Sequence, residues 1–294
     1  MKSKVSLRDF ISAQKRREFL EQELNMTLDN ISNFSFPEDA AVGRNIENLI
    51  GVTQIPLGVA GPVRIKQSAS RIKDYYIPLA TTEGALVASV SRGCKAVTKS
   101  GGATVFVEDV GITRGPVFKT KNLGESMKLK KWIDDHFADL AKVTKQTSHH
   151  LNLKKIDCRF VGRNLFARFY FDSEDAMGMN MATFATEEAA NLIEKRTKTE
   201  CVSIAGNFCV DKKPAWLNFI EGRGKRVWAE VVLPKTVLEE VLKVTPEKIA
   251  DLVYRKCLLG SVMSGSLGFN AHFANMVAAI FAATGQDLAH VVEG

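Results

Sequence analysis

Between Pro116 and Ala205 the order of elements admits few folds. Residues 117–119 read as a strand, 123–142 as a helix, 151–160 and 164–171 as strands joined across Gly162, 175–196 as a helix and 201–205 as a strand. The succession β-α-β-β-α-β is the split βαβ, or ferredoxin-like, pattern. A chain of 294 residues is long enough for two domains. Residues 116–205 are therefore expected to form a small domain inserted into a larger one, whose two parts are residues 1–115 and 206–294. The expected fold class is α+β: a large mixed helix and sheet domain carrying a ferredoxin-like (βαββαβ) insert.

The flanking segments supply further elements. Ser6 with Asp9 resembles a capping box, and Leu7, Phe10, Ile11, Leu20 and Leu24 mark one face of a helix reaching about residue 23. Residues 55–62 (IPLGVAGP) and 111–116 (GITRGP) are punctuated by glycine and proline and predict tight turns rather than regular strands. Thr81 or Thr82 is expected to cap a helix running to residue 99 and stopped by Gly101-Gly102, with Glu83 in its first turn. Thr245-Pro246 opens a helix to about residue 263, and residues 271–284 form an apolar helix carrying His272 and Asn275.

Several function classes recede on composition. The net charge of +7 is scattered, without the aromatic and basic array that grips nucleic acid. No run approaches the roughly 18 apolar residues of a membrane span, and Met1-Lys2-Ser3-Lys4 leads directly into the amphipathic pattern, without a secretory leader. Five cysteines show neither CxxC nor zinc-like spacing, which predicts reduced thiols, a cytoplasmic protein and no metal site.

The chemistry-bearing candidates lie in loops. In Ala205–Asn218 an acid and two lysines, Asp211, Lys212 and Lys213, sit between apolar neighbours. Pro214 restrains Lys213 to extended geometry, so no helix continues through it. A partly desolvated lysine matched to a carboxylate suits the stabilisation of an oxyanion; the same tetrapeptide also reads as a solvated turn. Arg114 presents a guanidinium fork suited to carboxylate or phosphate. Asp175-Ala176-Met177-Gly178-Met179-Asn180 follows a strand and opens a helix, where free N–H groups attract phosphate, although the two methionines equally read as core.

Taken in order, Glu47–Val63 (ENLIGVTQIPLGVAGPV), Thr81–Gly93 (TTEGALVASVSRG), Gly111–Val117 (GITRGPV), Asp175–Asn180 (DAMGMN), Gly206–Lys225 (GNFCVDKKPAWLNFIEGRGK), Gly265–Asn275 (GSLGFNAHFAN) and Gly285–Asp287 (GQD) resemble 3-hydroxy-3-methylglutaryl-CoA reductases. The likeness is to the soluble archaeal type, of the same class (class I) as the eukaryotic catalytic domain. It implies a four-electron, NADPH-dependent reduction of 3-hydroxy-3-methylglutaryl-CoA to mevalonate and CoA, with NADH left open as cofactor. By the same resemblance Glu83, Lys212 and Asp287 are catalytic: a proton relay, the cation beside the reacting oxygen, and the acid coupling the two. Arg114, Asp211, Lys213, Lys256, His272 and Asn275 bind substrate, and Asp175, Ala176, Met177, Gly178, Met179 and Asn180 form the dinucleotide loop. The larger domain would then bind substrate and the insert the dinucleotide. The resemblance further implies a homo-oligomer, dimer or tetramer, with its active site between subunits. Glu83 is expected to titrate jointly with Lys212 and Asp287, since a carboxyl acting as acid needs burial or a neighbouring charge to keep its proton.

The chain departs from the family pattern at Ala205, where a serine is usual, and at Cys257, where an asparagine is usual. The pattern also continues beyond Gly294, with a glycine-rich segment and a helical histidine that protonates the departing thiolate. A truncated reductase is thus expected, inactive by itself. The alternative is a non-catalytic module that holds CoA or dinucleotide.

Overall fold

The computed structural model describes residues 6–68 and 71–293. The N-terminal Met1-Lys2-Ser3-Lys4, on which the leader was judged, lies outside the described residues. The chain divides into two units, residues 1–56 and 57–294.

In the first unit the expected single helix is two pieces. Ser6 caps the 3₁₀ turn Leu7–Asp9 in a true capping box, but Phe10 is extended (φ −100°, ψ 128°) and the helix restarts as Ala13–Leu24. Ser12 is the reason: its hydroxyl accepts the Lys15 N–H at 3.3 Å, the N-cap geometry that requires non-helical backbone at Ser12 itself. The buried Arg16 then holds this unit together, donating to the carbonyls of Leu7 and Leu49, each at 3.1 Å.

The second unit is built on an eight-stranded sheet. Its strands are β1 (Leu57–Ser68), β2 (Arg71–Ala80), β3 (Ala103–Arg114), β4 (Val117–Lys119), β5 (Asn152–Val161), β6 (Asn164–Asp172), β7 (Glu200–Ser203) and β8 (Gly224–Glu230). The order is β2-β1-β3-β6-β4-β7, with β5 beside β6 and β8 beside β3. Both glycine–proline stretches expected as turns are largely strand. β1 takes up its irregular residues as a register shift between Ala60 and Val63, and β3 does the same between Asp109 and Gly111. At Gly111 (φ 99°) a Cβ would stand 2.7 Å from the Phe171 carbonyl oxygen, so only glycine lets β6 close on β3 there. Past this kink β3 leaves β8 and pairs residues 112–114 with 171–169 of β6. Thr113 and Arg114 are thereby delivered to the junction between the two halves of the sheet.

Strands β4 to β7 with their helices follow the expected succession, in the sheet order β5-β6-β4-β7 and antiparallel throughout. Leu165, Ala167, Phe169 and Phe171 alternate along β6 towards one face. There they pack with Phe118, with Leu129 and Ile133 of helix Leu123–Asp135, with Leu140 of helix Phe137–Thr147, and with Ala182, Ala185, Ala189 and Ile193 of helix Met179–Thr197. The single helix expected over 123–142 breaks at His136, whose ring stacks on Trp132 at 4.2 Å. The helix expected from residue 175 starts at Met179, because Gly178 (φ 78°) is left-handed. Likewise the helix expected from Thr81 or Thr82 is Leu86–Lys99, preceded by left-handed Ala85 (φ 66°). Thr81 turns back on the chain instead, its hydroxyl accepting the Glu83 N–H at 3.0 Å. Glu83 is therefore in a loop, outside the helix's first turn. Further on, Thr245 caps a helical run as expected, Pro246–Leu252 continuing through a π-helical segment Val253–Gly260 into Ser261–Ser264. Helix Phe273–Thr284 ends at left-handed Gly285.

Candidate active site

The site forms where the end of β3, the loop before helix Trp216–Glu221 and the turn after helix Phe273–Thr284 converge. The loop is held in an unusual backbone: Asn207, Val210 and Lys212 all have positive φ (64°, 53° and 57°). For a β-branched valine that is a genuine outlier, which must be imposed by neighbours. Two such neighbours are visible. The Thr113 hydroxyl donates to the Cys209 carbonyl at 2.7 Å, and the Asn218 amide donates to the Val210 carbonyl at 3.1 Å. Asn218 is fixed in turn by the fully buried Arg168 of β6 at 3.0 Å.

From this loop Lys212 extends its ammonium to the Asp287 carboxylate at 2.6 Å. The hydrogen bond raises the Lys212 pKa and lowers that of Asp287, where the Ala289 N–H adds to the effect. Both groups are charged near neutrality, and both remain partly open to solvent, with side chains 44% and 35% exposed.

Beside the pair lies an inner layer of charges. Asp211 accepts from Arg114 through Oδ2 and from Arg223 through Oδ1, each at 3.3 Å. Arg223 is almost enclosed; it also binds Glu293, the Thr113 hydroxyl at 2.9 Å and the Met179 sulfur at 3.0 Å. Arg114 reaches the Thr183 hydroxyl at 3.0 Å. Both arginines thus tie the first turns of helix Met179–Thr197 to the acid of the DKK loop. Glu293 Oε1 accepts the Lys212 backbone N–H at 2.5 Å, closing the ring.

The expected residues divide accordingly. Lys212, Asp287, Arg114 and Asp211 are together, and Lys213 is adjacent, its exposed ammonium turned back to the Asp211 carbonyl at 3.1 Å. Glu83 meets Asn275 at 3.3 Å, but no hydrogen bond or ion pair among the described residues joins it to Lys212 or Asp287. The expected three-membered Glu-Lys-Asp contact is therefore a two-membered one, for Glu83 is exposed in its loop. Lys256 and His272 are exposed and make no hydrogen bond to this cluster among the described residues. In the DAMGMN stretch Asp175, Ala176 and Asn180 are exposed, whereas Met177 and Met179 pack against the helix core. Gly178 is required by its own backbone and by Ser173, which a Cβ would approach to 2.4 Å. Sequence reasoning overlooked Arg223, His290, Glu293, Thr113 and Thr183. A faint signal existed for His290, three residues after Asp287 and so on the same side of a helical turn.

An ammonium–carboxylate pair at the surface, backed by half-buried arginines with one acid between them, can bind an acidic ligand and supply a fixed positive charge beside a polarised oxygen. The family profile of hydroxymethylglutaryl-coenzyme A reductase matches residues 12–294. The chain is 49% identical over 280 residues to the 3-hydroxy-3-methylglutaryl-coenzyme A reductase of Methanothermobacter thermautotrophicus, covering 95% of this chain and 70% of that one. It is likewise 49% identical over 290 residues to the Methanocaldococcus jannaschii reductase, covering 97% and 71%. In fold it is similar to the class II reductase of Streptococcus pneumoniae bound to NADPH in open conformations, with TM-score 0.65, 18% identity, and 96% and 75% of the two chains covered. With a family match along nearly its whole length and archaeal relatives at half identity, the chain belongs to the hydroxymethylglutaryl-coenzyme A reductase family, and so to the oxidoreductases.

Proposed function

We propose that this chain carries the substrate and hydride-acceptor site of an NADPH-dependent reduction of 3-hydroxy-3-methylglutaryl-CoA to mevalonate and CoA. The observation that carries the proposal is the Lys212–Asp287 pair, an ammonium fixed on a strained loop at 2.6 Å from its carboxylate. The raised Lys212 pKa keeps that nitrogen cationic, and a fixed cation stabilises an alkoxide more than it stabilises the ground-state carbonyl. Arg114, Asp211 and Lys213 would bind the carboxylate and hydroxyl of the acyl group. Glu83, held by Asn275 near solvent, would move protons to the product oxygen.

The residues from β4 to β7 fit a ferredoxin-like insert that binds the dinucleotide, a reading supported by their sheet order and one-sided helix layer. The substrate domain would then comprise residues 1–115 and 206–294. Helix Met179–Thr197 begins without a side-chain cap and without an acid in its first turn. Its free N–H groups therefore fit a pyrophosphate, with Asp175, Ala176 and Asn180 open beside them. NADPH, when bound there, supplies the hydride. Arg223 and Arg114 contact Met179 and Thr183 of the same helix, so the dinucleotide and acyl sites would share one rigid wall. A homo-oligomer with the site completed between subunits, in the cytoplasm, accords with the family; no helix among the described residues is long and apolar enough to cross a membrane.

The test combines equilibrium binding of NADPH and of the CoA thioester with mass-spectrometric detection of mevalonate. With the family's glycine-rich and histidine-bearing segment supplied, NADPH oxidation matched by mevalonate formation is the expected result for the reductase. Binding of both ligands with neither product nor oxidation would favour the non-catalytic module, and binding of neither would overturn both.

A further inference from the structure

His290 has no part in the chemistry described above, yet it stands at the centre of the cluster. It is 7% exposed and lies in the 3₁₀ turn Leu288–Glu293, its backbone N–H donating to the Asp287 carbonyl at 3.1 Å. Its Nε2 is buried without a hydrogen-bond partner, 3.5 Å from Asp211 Oδ1 and 3.9 Å from Asp287 Oδ2. Its Nδ1 is 3.4 Å from both Arg223 Nη1 and Glu293 Oε1. A guanidinium only donates, so contact with Arg223 makes Nδ1 the acceptor and leaves the ring proton on Nε2. Glu293 competes weakly for a proton at Nδ1, because its two oxygens already accept from the Lys212 N–H and from Arg223.

The charges facing the ring are Arg223 from the turn before β8, Asp211 from the DKK loop, and Asp287 and Glu293 from its own turn, with Arg114 of β3 and Lys212 paired behind Asp211 and Asp287. Cations and carboxylates are equal in number. A neutral imidazole with Nε2–H therefore separates two carboxylates and donates towards them without disturbing the balance. Asp211, His290 and Glu293 also have the composition of a metal site, their ligand atoms lying within 4.8 Å of one another. Arg223, bonded to both carboxylates, already fills the place of the cation.

We propose that His290 is a positioning residue whose Nε2–H fixes the spacing of the Asp211 and Asp287 carboxylates, and through Asp287 the place of the Lys212 ammonium. A movement of roughly half an ångström for Asp211, and of roughly one ångström for Asp287, closes the remaining gap. The inference rests on the reading of Lys212 and Asp287 as the catalytic pair.

The experiment compares His290→Gln, which keeps an amide donor near Nε2, with His290→Met, which has similar bulk and no donor. Competitive acylation of the intact protein, resolved by mass spectrometry, reads the pH dependence of Lys212 directly and needs no turnover. Loss of the donor should loosen Asp287, lower the Lys212 pKa towards the ordinary lysine value and speed acylation by up to about fivefold at a fixed alkaline pH below that pKa. In turnover, His290→Met should lower kcat with KM for the thioester nearly unchanged, and His290→Gln should restore most of both readouts. Unchanged Lys212 labelling in His290→Met, or a Gln variant as impaired as Met, would overturn the inference. Should His290→Met fail to fold, the ¹⁵N shifts of the His290 ring in the unsubstituted protein decide: an Nδ1–H tautomer sinks the proposal, and Nε2–H supports it. A protein that shows the labelling effect but reduces no thioester would refute the reductase function and leave the positioning role standing.

Discussion

The ammonium of Lys212 and the carboxylate of Asp287 meet at 2.6 Å, one presented by a loop with left-handed backbone, the other by the turn that follows an apolar helix. Neither element holds the contact alone. Thr113 and Asn218 anchor the loop through the Cys209 and Val210 carbonyls, while Gly285 (φ 73°) ends the helix just before Asp287. Each group is tuned by the other, so disturbing one is expected to be felt at both.

The pair makes stability depend on pH in a definite way. Asp287 is depressed, so its contribution is present above the ordinary aspartate range and is lost as pH falls through the lowered folded value. Lys212 is raised, so its contribution is present below the ordinary lysine value and is lost as pH rises through the raised one. With both side chains more than a third exposed, solvent screening holds the contribution to about 0.2–1 kcal/mol. Urea melts of the unsubstituted protein and Asp287→Asn should differ by that amount near neutrality and converge at both extremes.

Substitution of Lys212 by Ala should act on turnover rather than on binding. Removing one fixed charge from a developing oxyanion costs roughly 2.7–4 kcal/mol, a fall of 10²–10³ in kcat. Steady-state kinetics on a form of the enzyme that turns over would show a nearly unchanged KM for the thioester. A raised KM with normal kcat would instead assign Lys212 to ground-state binding.

The succession of elements from β4 to β7 was legible because each buries one face against the others, so apolar spacing and turn residues agree. Lys212 and Asp211 were legible as a loop with charge among apolar neighbours, and Arg114 as a guanidinium fork, although its expected turn is the end of strand β3. What could not be read was anything set by long-range closure. IPLGVAGP looks like a turn locally and becomes strand only because β2 pairs with it and a register shift absorbs Gly61-Pro62. His290, Arg223 and Glu293 are ordinary surface residue types whose burial depends on three distant segments meeting. Glu83 was placed in a helix by its threonines, which instead form a local turn.

Gly178→Ala should destabilise the fold whether or not a dinucleotide binds. The left-handed backbone costs an L-residue about 1–2 kcal/mol, and the new Cβ would stand 2.4 Å from that of Ser173. Adding Ser173→Gly should recover the steric part only. Thermal melts of the two variants measure this, and equal stability of Gly178→Ala and the unsubstituted protein would disprove it. Cofactor binding is better probed at Asn180, exposed in the first turn of the helix.

Thiol labelling should be selective. Burial pushes the Cys158 thiol up to about 12 and, with the Glu194 carboxylate adding to it, the Cys201 thiol up to about 11; Cys94 is raised by burial as well. At neutral pH their thiolate fractions are negligible, and the thiolate is the reacting form. Iodoacetamide on the folded protein should leave all three unmodified, and denaturant should expose them. Rapid alkylation of Cys158 in the folded state would mean that β5 opens readily.

The anchoring of the loop through Asn218 gives the last expectation. Arg168 is fully buried on the face of β6 opposite the helices, stacked 4.8 Å over Tyr170, and donates to the Asn218 side chain and to the Gly222 carbonyl. Asn218 passes this constraint to Val210, the residue whose positive φ precedes Asp211 and Lys212. Asn218→Leu deletes both bonds, leaving the Val210 carbonyl without a partner and the buried Arg168 guanidinium with only its 3.4 Å bond to the Gly222 carbonyl. Such orphaned groups cost about 1–3 kcal/mol, more when charged, so stability should fall by at least that range. Asn218→Asp keeps the acceptor for Arg168 and adds a charge opposite it, but removes the donor to Val210. It should therefore retain most of the stability while Lys212, on a loosened loop, loses catalytic effect. Denaturant melts separate the two variants, and kcat measured on each reports the loop. If Asn218→Asp preserved full turnover, the Val210 backbone would be fixed by the Thr113–Cys209 contact alone.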